Sequence, residues 1–321
     1  SALMKIRWGI AGTGRIASDF VRDIANIADA EVVAVGSRTL EGAQAFASTR
    51  GIARAHVSID ALAADPDVDA IYVAGIHPVH REHAITAMRA GKHVLVEKPL
   101  AMNAAEVAEM IDVSRATNRF LMEAMWTRFN PLHVELRRRF DAGEFGRVTS
   151  IDSDFSFALP VDPAHRLFDP TKGGGALLDV GIYPITLAWW WLGAPASWTA
   201  SGHIGVTGVD ETVELNLTSA DGATAHLTCG STFDGPKRST ITCEKAVIEI
   251  HAPSHSSPVA DIRFGSTTET VRCGGPGLHH QVVEVHRCIA AGLTESPRMS
   301  HADSRAIAAF MDGVLSRLHG R

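Results

Sequence analysis

The sequence predicts an α/β protein in two parts: an N-terminal parallel sheet wound with helices, then an α+β domain with a mostly antiparallel open sheet. Three observations carry this reading. The first 125 residues alternate short apolar runs with stretches of helical periodicity, the pattern of βαβ units. The apolar run Ile6 to Trp8 leads directly into Gly9-Ile-Ala-Gly12-Thr-Gly14-Arg-Ile-Ala17, and an amphipathic stretch (Ile16, Phe20, Val21, Ile24) follows. After about residue 126 the pattern changes to alternating segments rich in threonine and valine, separated by turn signals.

Taken in order, the strands expected in the first part are Ile6–Gly9, Glu31–Gly36, Ala70–Ala74, His93–Val96 and Phe120–Ala124. The helices between them are Arg15–Asn26, Leu40–Arg50, Val79–Ala90 and Ala104–Asn118. Ala70-Ile-Tyr-Val-Ala74 is apolar throughout, as befits a strand covered on both faces. The second part opens on a helix, Pro131–Asp141, followed by strands at Val148–Phe157, Val209–Thr218, Ala223–Phe233, Ser239–Cys243, Ala246–His251 and Thr268–Cys273. Asp221-Gly222 and Asp234-Gly235-Pro236 mark turns between them. A helix from Gly175 to Leu192 interrupts this region, and two helices near Leu278–Ala291 and His301–Leu318 close the chain. The expected boundaries are therefore a Rossmann domain over residues 4–125 and an α+β domain over 126–321, with the last helices packing back on the Rossmann domain.

The composition narrows the partners. With 45% hydrophobic and 21% charged residues, the 321-residue chain reads as globular and long enough for two domains. A net charge of −6 without a basic block argues against nucleic acid or a membrane surface as the main partner. Arg137-Arg138-Arg139 reads as a solvated helix face. The longest apolar stretch, around Trp189-Trp190-Trp191, lies too close to Gly193 and Pro195 to span a bilayer. Cys229, Cys243, Cys273 and Cys288 show no C-x-x-C spacing and no secretory pattern opens the chain, which predicts free thiols and a cytoplasmic protein. His77, His80 and His83 are spaced too far around a helix to converge on a metal, so no metal site is expected.

The cofactor reading starts at the glycine turn. Gly12 permits the tight turn, Gly14 lets a pyrophosphate approach the backbone, and the small Ala17 lets helix and strand pack closely. The helix start, Thr13 to Ile16 with Arg15, then offers N–H groups and a partial positive charge to phosphates, while Gly9 ends the strand that feeds the turn. After the second strand comes Ser37-Arg38, with no acidic residue at the strand end where a site preferring NAD carries one. A hydroxyl and a planar cation suit a 2′-phosphate, so NADP(H) is favoured and NAD remains open. The loop after Ala70–Ala74, with Gly75, His77 and His80, also faces the cofactor crevice. His93-Val-Leu-Val-Glu97-Lys98-Pro99 delivers Glu97 and Lys98 to that crevice, with Pro99 holding Lys98 extended.

Asp179 and Tyr183 stand four apart on the helix after Gly173-Gly-Gly, so both side chains fall on one face. Leu177, Leu178 and Ile182 point elsewhere and anchor the helix. Hydride transfer from a carbinol carbon needs a partner for the hydroxyl proton. A tyrosine of ordinary pKa near ~10 is a poor base, and an adjacent ammonium lowers that value. Lys98 is the candidate ammonium. Taken singly, Asp179 also reads as a helix-dipole partner and Tyr183 as a core aromatic.

The glycine turn, Glu97-Lys98-Pro99 and Gly173-Gly-Gly-Ala-Leu-Leu-Asp179-Val-Gly-Ile-Tyr183 together resemble the glucose–fructose oxidoreductase and inositol dehydrogenase (Gfo/Idh/MocA) family, from Met4 to about Gly320. Leu121-Met-Glu-Ala-Met-Trp126-Thr-Arg-Phe-Asn-Pro131 and the tyrosine at 183 are most similar to its dimeric dihydrodiol dehydrogenases. The resemblance implies that Lys98, Asp179 and Tyr183 line the active site beside the nicotinamide, with Tyr183 as proton donor and acceptor, Lys98 polarising the substrate oxygen and Asp179 orienting substrate. It implies Arg166 near the cofactor's phosphate side, Trp126 near nicotinamide and substrate, and a cis peptide before Pro99. Gly75-Ile76-His77-Pro78, following Ala74, departs from the family's usual Thr-Pro-Asn. Pro184, inside the helix, removes one backbone donor just after the catalytic turn.

These readings predict an NADP(H)-dependent oxidoreductase acting on a small polyol, sugar, cyclitol or cyclic diol, as a homodimer or higher homo-oligomer. Two alternatives stay open: an NAD-linked inositol or sugar dehydrogenase, and a non-catalytic NADP-binding regulator.

Overall fold

The computed structural model describes residues 4–321. The elements run β1 (Ile6–Ala11), α1 (Arg15–Ile24), β2 (Ala30–Ser37), α2 (Leu40–Arg50), β3 (Arg54–Val57), α3 (Ile59–Ala63), β4 (Ala70–Val73), α4 (His80–Arg89), β5 (His93–Glu97), α5 (Ala104–Thr117) and β6 (Leu121–Ala124). They continue with α6 (Pro131–Asp141), β7 (Val148–Ser156), α7 (Ile182–Leu192), β8 (Ser197–Ile204), β9 (Asp210–Thr218), β10 (Thr224–Gly230) and β11 (Ser239–Cys243). The last are β12 (Val247–Ile250), β13 (Val259–Phe264), β14 (Thr267–Arg272), α8 (His279–Ala290) and α9 (His301–Leu318). The chain divides into two compact units, one formed by the residues up to Trp126 with Gly277–Ala308, the other by Thr127–Pro276 with Ala309–Arg321.

The first unit holds a six-stranded sheet in the order β3-β2-β1-β4-β5-β6, every pair parallel. The strand order reverses between β1 and β4, the point at which sheets of this kind open a crevice for nucleotides. Trp8, Phe20 and Tyr72 lie fully buried in its core, Phe20 stacking on Tyr72 at 4.1 Å and meeting Trp8 edge-on at 5.6 Å. Burying side chains of this size contributes about 1.5–3 kcal/mol each. Trp8 Nε1 donates to His286 Nε2 at 3.0 Å, which ties α8 to this core. α2 and α5 begin on side-chain caps: Thr39 accepts from Gly42, and Asn103 accepts from the N–H of Glu106 while Glu106 takes that of Met102.

The second unit holds an eight-stranded sheet in the order β14-β13-β12-β11-β7-β10-β9-β8. Only the β7–β10 pair is parallel. Ile151, Leu215, Leu227, Ile241, Ile248 and Ile262 bury one face, on which α7 packs across β7 and β10.

Four elements were not expected from the sequence. β3 is a four-residue edge strand with no apolar run, and α3 is a five-residue turn of helix. β8 is an edge strand of mainly small and polar residues. β13 stands second from the opposite edge, next to a strand exposed along nearly its whole length. The stretch from Gly175 to Leu192 also differs from a single α-helix. Leu177–Gly181 forms a π turn, in which Ile182 N–H reaches back five residues to the Leu177 carbonyl, and α7 proper starts at Ile182. Pro184 has no N–H for the carbonyl four residues back, and the wider turn stands directly before it. Among the described residues no helix is long and apolar enough to cross a membrane.

Candidate active site

Within the first unit the glycine turn has the shape its residues dictate. Gly12 sits at φ +128°, and a Cβ there would stand 3.0 Å from the Ala74 carbonyl oxygen and 3.3 Å from Gly75 N. No L side chain fits that pinch between β1 and β4. Gly14 is the reverse case: it is the exposed N-cap of α1, and no other part of the chain lies within 4 Å of where its Cβ would stand. α1 has no side-chain cap, so its first turn, with exposed Arg15 and half-buried Thr13 and Ile16, presents N–H groups and a positive dipole end towards that open side. Gly9 has a different place from the one expected. It is buried inside β1, and a Cβ would meet Leu62 at 3.0 Å and Val68 at 3.1 Å, so its smallness serves packing.

Half-buried Ser37 ends β2, and Arg38 beyond it is exposed, with no hydrogen bond or ion pair among the described residues. Thr39 is already committed to capping α2 at 3.1 Å. The loop after β4 is held by His80, which is fully buried. Its Nδ1 lies 2.7 Å from the Pro99 carbonyl oxygen and its Nε2 2.9 Å from that of Gly75. The ring therefore ties the β4 loop to the loop that carries Lys98. Burial pushes its pKa down to about 4, and a neutral ring has one N–H to give. His77 is buried against it, ring centroids 5.8 Å apart. Ala74 is buried and Gly75 half-buried, and a Cβ on Gly75 would stand 2.7 Å from Val79.

Glu97 is buried and accepts from the Tyr72 hydroxyl at 3.0 Å, so this carboxylate braces β4 against β5. Lys98 is half-buried after β5, and the Lys98–Pro99 peptide is cis. Trp126, half-buried, follows β6. Among the described residues no cluster of three His, Cys, Asp or Glu side chains could hold a metal.

Within the second unit, Asp179 lies on the π turn and Tyr183 one turn later in α7. Residues four apart overshoot one turn of α-helix at about 3.6 residues per turn, and the wider π turn takes up that overshoot. Asp179 is buried and receives Arg166 Nη1 at 3.1 Å. Arg166, expected beside the cofactor phosphates, is thus partnered with the carboxylate of the site. Leu177, Leu178 and Ile182 are all buried beneath the turn. The half-buried ring of Tyr183 stacks on Phe155 at 5.5 Å and packs against His255 at 4.5 Å. These three rings line a small pocket with Thr127, Pro184 and Leu187.

The turn that carries His255 is fastened from below. Thr127 donates to the His255 carbonyl at 2.8 Å, and His133 Nε2 lies 2.7 Å from that of Ser254. Burial holds His133 at a pKa of about 4, so it serves there as a neutral donor. The hydroxyls of Ser153, Ser239 and Ser254 form a chain with two links of 2.7 Å.

Phe155, His255 and Asp210 carry no local signal in the sequence. Asp210 is buried at the start of β9 and its Oδ2 accepts the Leu177 N–H at 2.7 Å, across 33 residues of chain. Only the register of the second sheet places it under the π turn.

Comparison with known proteins agrees with this geometry. Residues 6–125 match a family model described as an oxidoreductase family, NAD-binding Rossmann fold, and residues 133–249 match the GFO/IDH/MocA C-terminal domain. The chain is 40% identical to a trans-1,2-dihydrobenzene-1,2-diol dehydrogenase of Xenopus laevis over 98% of both chains, and 38% identical to that of Danio rerio over 96% of both. Among solved structures, an aldose-aldose oxidoreductase from Caulobacter crescentus, complexed with glycerol, is similar at a TM-score of 0.88 and 25% identity over 99% of this chain and 98% of that one. A 3-ketoreductase from Actinomadura kijaniata in complex with NADP and TDP-benzene is similar at 0.84 and 27% over 97% of each.

Proposed function

The chain belongs to the Gfo/Idh/MocA oxidoreductase family, and on that premise we propose that it moves a hydride between NADP(H) and the CH–OH or carbonyl carbon of a cyclic diol, sugar or cyclitol, with Tyr183 as acid and base. It is an NAD(P)-binding oxidoreductase related to dihydrodiol dehydrogenases and sugar ketoreductases. The observation that carries the finer reading is the arrangement around Tyr183: a half-buried phenol, flanked by two flat rings and one turn from a carboxylate held by Arg166.

The residues of the first unit fit a phosphorylated dinucleotide. The pinch at Gly12, the open side at Gly14 and the uncapped start of α1 suit a pyrophosphate. Arg38, exposed and without a partner among the described residues, suits a 2′-phosphate. When bound, the nicotinamide supplies or accepts the hydride. Tyr183 exchanges the proton of the substrate hydroxyl. Lys98 favours the phenolate and polarises the substrate oxygen. Asp179, fixed by Arg166, orients the hydroxyl, and Phe155 with His255 offers flat apolar faces to a ring.

The test is titration with NADPH and NADH, followed by a panel containing trans-1,2-dihydrobenzene-1,2-diol, sugars and inositols. Tight NADPH with weak NADH binding is expected. Tyr183→Phe and Lys98→Ala should each lower turnover by about 10² to 10⁴, the range of lost acid–base catalysis, with cofactor affinity little changed. Full turnover by Tyr183→Phe would remove it as the proton donor.

A further inference from the structure

The second unit holds a buried carboxylate that the reaction chemistry does not use. Asp210 is 3% exposed, and its Oδ2 accepts the Leu177 N–H at 2.7 Å. This is the first donor of the segment that becomes the π turn, which has no cap from the residue preceding it.

The glycines before the turn are shaped around this contact. Gly175 sits at φ +113°, and a Cβ there would collide with the Asp210 carboxylate. Gly174 lies under the carbonyls of Arg166, Leu167 and Asp169, where a Cβ would stand 2.6 to 2.9 Å from their oxygens. Gly175 N–H donates to the Leu167 carbonyl at 2.8 Å. On the far side, Gly181 leaves room for Cys229 of β10, whose Sγ would lie 2.8 Å from a Cβ. The π turn is thus closed in front by Asp210 and behind by β10.

We infer that Asp210 is a positioning residue for the reaction: it fixes the start of the π turn and so sets where Asp179 and Tyr183 present their side chains. This rests on the reading of Tyr183 as acid and base. A π turn is a wider, less regular winding than the α-helix that follows it, and its Asp179 to Tyr183 spacing persists only if its first residues are held. Asp210 supplies that hold with a charge-assisted bond to the Leu177 N–H, the stronger class of hydrogen bond. It belongs to the second unit and the glycine turn, Arg38 and the β4 loop to the first, so its loss should act on turnover and not on nucleotide affinity. Small misplacements of a reacting group are enough, since about 1 Å can cost on the order of 10²-fold in rate.

The experiment compares Asp210→Ala, Asp210→Asn, Gly175→Ala and Tyr183→Phe in the full chain, using NADP⁺ and the panel substrate of highest turnover. Asp210→Ala should lower kcat by about 10- to 100-fold with the NADPH Kd within about twofold. Asp210→Asn keeps an acceptor oxygen for the turn and should restore kcat to within about fivefold of the parent. Amide exchange at Leu177 should quicken in Asp210→Ala and stay slow in Asp210→Asn. If Asp210→Ala does not fold, Gly175→Ala displaces the carboxylate without deleting it and should show the same kcat loss. Parental kcat in folded Asp210→Ala or Gly175→Ala, alongside an inactive Tyr183→Phe, overturns the positioning role. An active Tyr183→Phe instead overturns the acid–base reading on which it rests.

Discussion

The two units hold their site residues by different means. In the first, every candidate residue stands within a few positions of a strand end, and parallel pairing brings those ends together. Gly12 presses on Ala74, His80 ties the β4 loop to Pro99, and Glu97 braces Tyr72. In the second, Asp179 sits on an irregular turn and Tyr183 just beyond it, and the first donor of that turn, the Leu177 N–H, is met by a carboxylate 33 residues away. The first half-site follows from local backbone geometry. The second follows from the register of a sheet, and one distant substitution can disturb it.

His80 in the first unit and Asp210 in the second are both buried titratable clamps, and their pH responses should run in opposite directions. Burial lowers the pKa of His80 to about 4. Between pH ~6.5 and ~4 the unfolded chain takes up a proton that the folded ring refuses, so its contribution is complete above ~6.5 and is lost as pH falls. Burial raises the pKa of Asp210 to about 6. The folded carboxyl keeps a proton that the unfolded chain releases near ~3.8, so stability from this group falls as pH rises from ~4 to ~6. Each effect is on the order of 3 kcal/mol at full extent. Denaturant unfolding at pH 4.5, 5.5, 6.5 and 7.5 separates them by difference, which also cancels His93 and His133, both likewise held near 4. The cost of His80→Gln should shrink as pH falls, and that of Asp210→Asn should shrink as pH rises. Parallel profiles for parent and variants would break the comparison.

Alanine at a glycine sharpens the contrast. Gly12 and Gly175 both lie at positive φ, where an L side chain costs roughly 1–3 kcal/mol. What a new methyl would meet differs. At Gly12 it meets backbone, the Ala74 carbonyl at 3.0 Å, and neither strand can withdraw. Gly12→Ala should weaken NADPH binding by about 30-fold, near 2 kcal/mol, with both loops displaced. At Gly175 it meets the Asp210 side chain, which can swing aside. Gly175→Ala should leave NADPH binding intact and lower kcat. Equal effects of the two substitutions on nucleotide affinity would show that the half-sites are not held independently.

The same contrast explains how much could be read from the sequence. β1, β2, β4, β5 and β6 announce themselves as apolar runs because both faces are covered, and Gly12 and Glu97-Lys98-Pro99 are legible because their chemistry is contiguous. β3 and β8 lie at sheet edges and need no apolar run, so periodicity cannot find them. The π turn is invisible to a rule that assumes one helical period, although Pro184 hints at it. Phe155, His255 and Asp210 reach the site only through strand register, which is a property of the assembled sheet. Gly9 and His80 also carry internal packing that their motifs do not announce: Gly9 makes room for Leu62 and Val68, and His80 ties two loops together.

The smallest expected effect lies at Arg38. The side chain is exposed, follows β2 directly and has no partner among the described residues, so removing it breaks nothing inside the first unit. Stability should stay within about 0.5 kcal/mol of the parent, as for surface positions generally. A guanidinium held against a 2′-phosphate gains charge-assisted bonds that a 2′-hydroxyl cannot match. Arg38→Ala should therefore raise the NADPH Kd about tenfold, near 1.4 kcal/mol, and leave NADH unchanged. Raising ionic strength should weaken NADPH binding to the parent more than to Arg38→Ala, because an exposed ion pair is screened. A common loss for both nucleotides would place Arg38 on the pyrophosphate and assign the 2′ position to another group. A change in turnover without a change in Kd would instead tie the β2 loop to the catalytic turn of the second unit, and the independence of the two half-sites would fail at its most exposed point.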